Sequence, residues 1–319
     1  MWFCIGPSLL SGIGQVTMKY CELLGGTYIQ FGTQIVPVGQ DVFIFALPVE
    51  RYFNELPHII QVSKSITCMT VCETEPVHDD YGKLFQILSG NSKCRIVTPS
   101  NYCKDVFTAQ FTGVNIDVIP HYCPVPKKKG LINIFNLPTD HYIFYHIGNI
   151  IDQRKNVKKI IEAFIRLQLP KSLLVLKATC HSEITWKIPG VYIINGLLPN
   201  EAIDTLHEYC HCYVSFSSSE GVGMGAVEAA IHDRPVIITD YGAPKEYIHT
   251  DYLIPCGRQI IEQDDFLFKK GFIWGKPDFD SLTKYMKDAY DKKLMYMDHS
   301  WTRDITNGAK IKNCITLNT

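Results

Sequence analysis

The 319-residue chain has no C-x-x-C pair, no apolar run near the roughly 18 residues of a membrane span, and no excess of either charge. Its twelve cysteines are scattered, as at Cys4, Cys21, Cys94, Cys180 and Cys256, which excludes a disulfide framework and fits buried thiols in a reducing compartment. The densest group is His207, Cys210, His211 and Cys212; its two histidines stand at i, i+4 on a predicted helix, but no second ligand pair lies near, so no metal is expected there. With 31 basic and 32 acidic residues, nothing favours nucleic acid or an acidic surface as partner. The opening MWFCIGPSLLSG lacks a basic stretch and is broken by Gly6, Pro7 and Gly12, so it does not read as a signal peptide. A cytoplasmic protein without a membrane span is the expectation, and oligomeric state is left open.

What is present is alternation. Short apolar runs alternate with segments of helical spacing, the pattern of βαβ units and parallel sheets. Strands are predicted at residues 2–5, 28–31, 42–47, 66–71, 94–98 and 116–119, with helices over 15–24, 50–62, 80–88 and 102–109. After Pro120 the stretch HYCPVPKKKG, with its run Lys127, Lys128 and Lys129, reads as a solvated linker. A second set follows, with strands at 142–147, 173–177, 191–194, 212–216 and 236–239 and helices over 157–167, 201–209 and 224–231. The expected fold is α/β, two Rossmann-like doubly wound parallel-sheet domains facing each other across a cleft. Their bounds are 1–126 and 127–298, and 299–319 forms a C-terminal helix crossing back to the first domain. In such folds ligands bind at the carboxyl ends of the strands.

Two segments carry chemistry. In SSSEGVGMGAVEAA, Glu220 and Glu228 bracket Gly221, Gly223 and Gly225, and a helix starts near Met224. The glycines let backbone approach a ligand, and the unpaired amides of the first helical turn favour phosphate. The two carboxylates are acceptors suited to sugar hydroxyls. A tight turn with Glu228 on a solvent face is the plain alternative. In YHIGNIIDQRKNVKKIIEAF, a strand ends at Gly148, and Arg154 and Lys155 stand at the mouth of the next helix. Cations are badly placed for the helix dipole there, and an external anion such as a diphosphate explains them. A surface basic patch is the alternative.

Together these segments resemble the retaining glycosyltransferases of the two-Rossmann type, GT-B fold, group 1 or family 4. EGVGMGAVEAAIHDRPVIITDYGAPKEYI is similar to the family's E-x7-E segment, HIGNIIDQRKN to its diphosphate-binding lysine segment, and INGLLPNEAIDTLHEYCHCYVSFSSSEG to the stretch that supplies the base pocket. GKPDFDSLTKYM and Trp301 resemble its last helices. The resemblance implies that Glu220 contacts the donor sugar, Glu228 accepts from the ribose hydroxyls, and Lys155 with Arg154 neutralises the leaving diphosphate. It also implies that amides around Gly223, Met224 and Gly225 bind phosphate, with the backbone at Leu197 meeting the base. The chain departs from the family at Asn149, where arginine often follows the glycine Gly148, and at Gly225, where proline is common.

In the first domain, PSLLSGIGQVT places Gly12 and Gly14 in a predicted strand-to-helix loop able to approach donor phosphate or acceptor, similar to the family's first glycine loop. In VCETEPVHDDYG, Thr74 and His78 are the acceptor-side candidates, with Asp79 as a predicted helix cap. Asp278 and Asp280 spell D-x-D, a pair that holds a divalent ion in other glycosyltransferases, but Asp280 reads here as a helix cap, and no metal and no cofactor are expected. The expected reaction is transfer from a nucleotide diphosphate sugar to a glycan or other hydroxyl acceptor, with retention. A nucleotide-sugar epimerase and an inactive nucleotide-sugar-binding protein are the alternatives. A nicotinamide oxidoreductase lacks an acidic residue about 20 positions after GIGQVT to hold a ribose. Seven arginines against twenty-four lysines, with much isoleucine, point to an AT-rich genome, viral or protist.

Overall fold

Six short strands of the N-terminal stretch, β1 (Trp2–Gly6), β2 (Thr27–Gln30), β3 (Asp41–Phe45), β4 (Ser65–Met69), β5 (Cys94–Thr98) and β6 (Asp117–Val118), pair in parallel in the order β2-β1-β3-β4-β5-β6. The computed structural model describes residues 1–33, 37–126, 130–179 and 183–316, so Cys180 and the run Lys127–Lys129 lie outside the described residues. Val42–Phe45 and Ile66–Met69 are buried without alternation, as expected of parallel strands covered on both faces. The covering helices are α1 (Gly12–Leu24), α2 (Glu50–Val62), α3 (Asp80–Ser89) and α4 (Asn101–Gln110). Ser11 caps α1 by accepting the Gly14 amide at 3.0 Å, and Gly25, at φ 63°, ends it. Leu56 of α2, Leu84 and Phe85 of α3 and Phe107 of α4 fill one core with Ile5 and Ile44 of the sheet.

The second sheet holds β7 (Tyr142–Gly148), β8 (Ser172–Ala178), β9 (Val191–Ile194), β10 (Cys212–Val214), β11 (Val236–Thr239) and β12 (Leu253–Ile254), parallel in the order β12-β11-β10-β7-β8-β9. Its helices are α5 (Val157–Leu167), α6 (Asn200–Tyr209), α7 (Met224–Ile231), α8 (Pro244–Tyr247), α9 (Phe279–Asp291) and α10 (Ser300–Ile305). Val157, Ile160, Ile161 and Phe164 recur at helical spacing on α5 and share a core with Leu282, Met286 and Ala289 of α9. Winding runs from β7 outward to β9, then restarts on the other side of β7 at β10. The loops leaving β7 and β10 therefore diverge, which opens a gap at the carboxyl edge between them. In the first sheet the same reversal falls between β1 and β3.

The chain divides into two compact units, each of interleaved segments. Unit 1 is Met1–Pro124, Ile260–Trp274 and Ile305–Thr319; unit 2 is Val125–Gln259 and Gly275–Asp304. Strands β13 (Cys256–Ile260) and β14 (Ile273–Pro277) make a two-stranded sheet. The sequence reading keeps this whole stretch in the second domain, yet Ile260–Trp274 belongs to unit 1. Two backbone hydrogen bonds fasten it there, Ile273 N–H to Glu75 O at 2.7 Å and Glu75 N–H to Ile273 O at 3.0 Å, and Leu267 packs on the unit 1 core.

The last helices also separate. Trp301 of α10 donates from Nε1 to Glu246 O at 2.9 Å and stacks on His249 within unit 2. The final helix α11 (Gly308–Thr316) lies against α1 in unit 1, where Ile311 and Ile315 are buried and Arg95 donates to Cys314 O at 2.6 Å. At the start of α9 the cap is Asp278, accepting the Ser281 amide at 2.7 Å, whereas Asp280 sits in the first turn. The helix begins two residues earlier than its apolar spacing suggests. Asp79 occupies the cap position of α3 without a side-chain cap bond; the ring of His78 accepts the Asp80 amide instead. Among the described residues, no helix is long and apolar enough to cross a membrane.

Candidate functional site

The loops leaving β7 and β10 are joined backbone to backbone at the switch point. After β7, Asp152 accepts the Arg154 amide at 2.9 Å and caps a single 3-10 turn, Gln153–Lys155. Asn156 then takes a left-handed φ of 52°, which asparagine tolerates better than most residues, and releases the chain into α5. Its side-chain amide donates to Phe216 O at 3.1 Å and Ser218 Oγ at 2.9 Å, and the Ser218 amide donates to Arg154 O at 2.8 Å. From the other side, Gly275 N–H donates to Ser218 O at 2.8 Å and Ala243 N–H to Glu220 O at 3.1 Å. The backbone of residues 218–220 is thus held by three separate segments, one of them strand β14.

That rigidity sets one carboxylate between two cations. Arg154 donates from Nη1 to Glu220 Oε2 at 3.3 Å and to Ser219 O at 3.0 Å, and from Nη2 to Asp152 Oδ2 at 3.3 Å. Lys155 Nζ donates to Glu220 Oε1. Glu220 is 7% exposed and Arg154 8%. Burial alone would push the Glu220 carboxyl up; Lys155 and then Arg154 outweigh it and hold it at about 2. The anion that the helix mouth calls for is therefore already supplied in part by the chain itself.

Most of the other donor-side candidates belong to the same unit. Gly223, at φ 83°, is the residue before α7, Met224 and Gly225 open the helix, and no side chain caps it, so its first-turn amides keep the character of an anion site. A Cβ on Gly225 would stand 2.9 Å from Ile147 O and press on the Tyr213 hydroxyl, so α7 seats against β7 and β10 only because this residue has no side chain. Glu228 is half-buried in the second turn of α7. Gly148 ends β7, Asn149 is exposed in the loop after it, and Leu197 is 55% exposed in the loop between β9 and α6.

Three further residues shape this gap without being legible as site residues. Asp152 and Asn156 form the turn that presents Arg154 and Lys155, and their only signal is residue type, an Asx residue on either side of the cations. His146 on β7 is buried; its Nδ1 meets Val214 O at 2.8 Å, and among the described residues its Nε2 has no partner. The group His207, Cys210, His211 and Cys212 is structural in its contacts. His207 Nδ1 meets the Tyr145 hydroxyl at 2.8 Å, and His211 Nδ1 accepts the Ile143 amide at 3.0 Å.

In unit 1, Gly12 and Gly14 lie inside α1 and not in a loop, because Ser11 starts the helix earlier than its apolar spacing indicates. A Cβ on Gly14 would strike the carbonyls of Pro7 and Ser8, so this glycine serves its own strand-to-helix connection. Thr74 and His78 do come together, in a pocket of about 120 Å³ that Ile13 and Tyr81 also line. A wider, open hollow of about 560 Å³ runs beside Tyr102, Val106 and Gln110 of α4 and holds none of the candidate residues.

Buried histidines make acid sensitivity measurable. Burial lowers His146 and His211 to about 4, and His121 to about 3, from an ordinary value of 6.5. The unfolded chain takes up these protons first as pH falls, so the stability is present above about 6.5 and is lost between there and about 4. Melting temperatures measured from pH 7.5 to 4 are expected to decline from about pH 6.5 downward; a flat profile to pH 5 contradicts it.

Two six-stranded parallel sheets with helices in separate units, and a carboxylate held by two cations at a switch point, define a GT-B glycosyltransferase architecture. The chain belongs to the family Glycosyl transferases group 1, whose profile matches residues 128–294. No curated protein sequence matches it significantly. Among solved structures it is similar to the UDP-forming α,α-trehalose-phosphate synthase of Burkholderia xenovorans (TM-score 0.61, 8% identity, covering 100% of this chain and 97% of that one). Sucrose-phosphate synthase of Thermosynechococcus elongatus is similar over 99% and 94% of the two chains (TM-score 0.60, 13% identity). TarM is matched over 87% of this chain (TM-score 0.51, 12% identity), which spans about half, 51%, of TarM's length.

Proposed function

We propose that the chain transfers a sugar from a nucleotide diphosphate sugar to a hydroxyl acceptor, with retained configuration and without a metal ion. The observation that carries this reading is the Arg154–Glu220–Lys155 cluster beside the uncapped start of α7. Cations and helix amides there neutralise the diphosphate as the bond from the anomeric carbon to its phosphate oxygen breaks, which stabilises charge where it develops. The acceptor oxygen forms the new bond on the same face, and the departing phosphate oxygen takes the acceptor's proton. Held at about 2, Glu220 stays ionised and acts as a hydrogen-bond acceptor for donor-sugar hydroxyls, not as an acid. Glu228 accepts from the ribose hydroxyls, and the backbone near Leu197 meets the base. Lys155 and Arg154 supply the positive charge that a divalent ion supplies elsewhere. The eleven described cysteines, all thiols, suit a reducing cytoplasm.

Melting is measured with UDP, GDP and ADP and with their sugars. One nucleotide series is expected to raise the midpoint by mass action. Lys155→Ala and Glu228→Ala are each expected to cut transfer by about tenfold or more, and transfer is expected to persist in EDTA. A flat response to every diphosphate, or near-normal turnover in either variant, overturns the reading.

A further inference from the structure

Arg234 lies on the turn into β11, just after Asp233 at a left-handed φ of 58°, and is 6% exposed. Its Nη1 donates to Met295 O at 3.1 Å, its guanidinium carbon stands 4.8 Å from the centre of the Tyr296 ring, and among the described residues its Nε has no partner. No carboxylate of the described residues forms an ion pair with it: Asp233, its neighbour in sequence, and Asp298 are both held by Arg303. A buried guanidinium costs stability unless an anion compensates it, and the ring of Tyr296, itself 67% exposed, is a weak substitute.

Two further nitrogen donors stand on the same edge of the second sheet. Arg234 precedes β11, His211 precedes β10 and Tyr142 begins β7, so all three lie at the amino ends of parallel strands, the edge opposite the Arg154–Glu220–Lys155 cluster. The Tyr142 ring stacks on His211 at 5.0 Å and lies 5.8 Å from Lys293 Nζ. Lys293 turns the chain out of α9 at a φ of 51°, is exposed, and among the described residues is matched by rings and by no carboxylate, with Nζ 3.6 Å from the centre of the Tyr290 ring. His211 Nδ1 accepts the Ile143 amide, so the neutral ring carries its proton on Nε2, which is a donor. Burial, then the charges of Arg234 and Lys293, hold that ring at about 4 and keep it neutral at ordinary pH. The segment bearing Lys293 and Tyr296 is fastened in place, since Tyr142 donates its hydroxyl to Leu294 O at 2.7 Å and Met297 N–H donates to Asp233 O at 2.9 Å. Two fixed positive charges and one neutral donor match a phosphate monoester, which carries about −1.5 to −2 at neutral pH and three acceptor oxygens. A carboxylate, with one charge and two oxygens, leaves a cation unmatched.

We infer that Arg234, Lys293 and His211 form a binding site for a phosphate monoester dianion on the amino edge of the second sheet, separate from the donor gap. The test follows the His211 ring resonances of the full chain, labelled at histidine, by NMR at neutral pH and constant ionic strength, during titration with methyl phosphate, inorganic phosphate and acetate. The His211 signal is assigned by its loss in His211→Gln. A saturable shift is expected with methyl phosphate, with acetate at least about tenfold weaker. Lys293→Gln changes an exposed side chain, so the fold is kept while methyl phosphate binding is expected to weaken about fivefold or more; Arg234→Gln is expected to weaken it about tenfold or more. Lys155→Ala, in the donor gap, is expected to leave the His211 response as it is in the parent. Absence of a saturable shift with methyl phosphate, a response to inorganic phosphate alone, equal affinity for acetate, parent-like affinity in Lys293→Gln, or loss of the response in Lys155→Ala each overturns the inference.

Discussion

Glu220→Ala is expected to lower the melting temperature by roughly 6–20 °C and transfer by about a hundredfold. The stability loss follows from what is removed: Arg154, 8% exposed, loses the Glu220 carboxylate at 3.3 Å, and Lys155 loses its bond to the same carboxylate. Breaking one side of a buried ion pair costs about 3–5 kcal/mol, and a domain of this size loses about 2–4 °C per kcal/mol. On the proposed reaction, activity falls further because Lys155 is no longer held where the diphosphate would leave. Glu220→Gln separates the two effects, since it keeps the shape and removes the charge.

The pH dependence supplies an independent check. With a folded value of about 2 against an ordinary 4.5, the carboxylate contributes stability that is present above pH 4.5 and is lost as pH falls through 2. The difference corresponds to roughly 3 kcal/mol. Glu220→Gln is expected to abolish this part of the acid transition, and an unchanged acid profile in that variant contradicts the assignment.

Gly225→Ala is expected to cost about 2 kcal/mol, against the gain of up to about 1 kcal/mol that alanine normally brings to a helix. The added methyl meets the Ile147 carbonyl at 2.9 Å and the Tyr213 hydroxyl, which itself donates to Ile147 O at 3.1 Å. Tilting α7 to make room displaces its first-turn amides and Glu228, so on the proposed reading donor binding is expected to weaken along with stability. Tyr213→Phe removes the obstructing oxygen. The double variant is therefore expected to be more stable than Gly225→Ala alone, although Tyr213→Phe by itself costs about 1 kcal/mol through the lost hydrogen bond. Additive losses in chemical denaturation would show that the methyl and the hydroxyl do not collide. The departure from proline at 225 thus has a local cause, a tyrosine on β10 that fills the space.

Strands such as Cys94–Thr98 and Val236–Thr239 and helices such as Glu50–Val62 and Val157–Leu167 were legible because buried parallel strands and one-sided helices leave strong apolar periods. The β13–β14 hairpin was not, since CGRQI is half exposed and carries no alternation. Nor was its membership of unit 1, which depends on the pairing of Glu75 with Ile273, far apart in sequence. In the site, Glu220, Lys155 and Arg154 could be picked out as residue types at a strand-to-helix junction. That they contact one another could not, because the pairing arises from the sheet order that sets β10 beside β7. Gly12 and Gly14 were misplaced for a local reason, a serine cap ahead of the apolar pattern.

The interleaved units bear on how the protein is made. A ribosome releases the chain from its N-terminus, and domains generally fold as units as they emerge. The main segment of unit 1, Met1–Pro124, emerges ahead of unit 2, yet it lacks Ile260–Trp274 until unit 2 is largely out, and α11 until later still. Until then α1 has no cover from Ile311 and Ile315, and the bridge between Glu75 and Ile273 cannot form. A stop codon just after Asp304 would leave every residue of unit 2 in place and damage unit 1, whose main segment lies farther upstream.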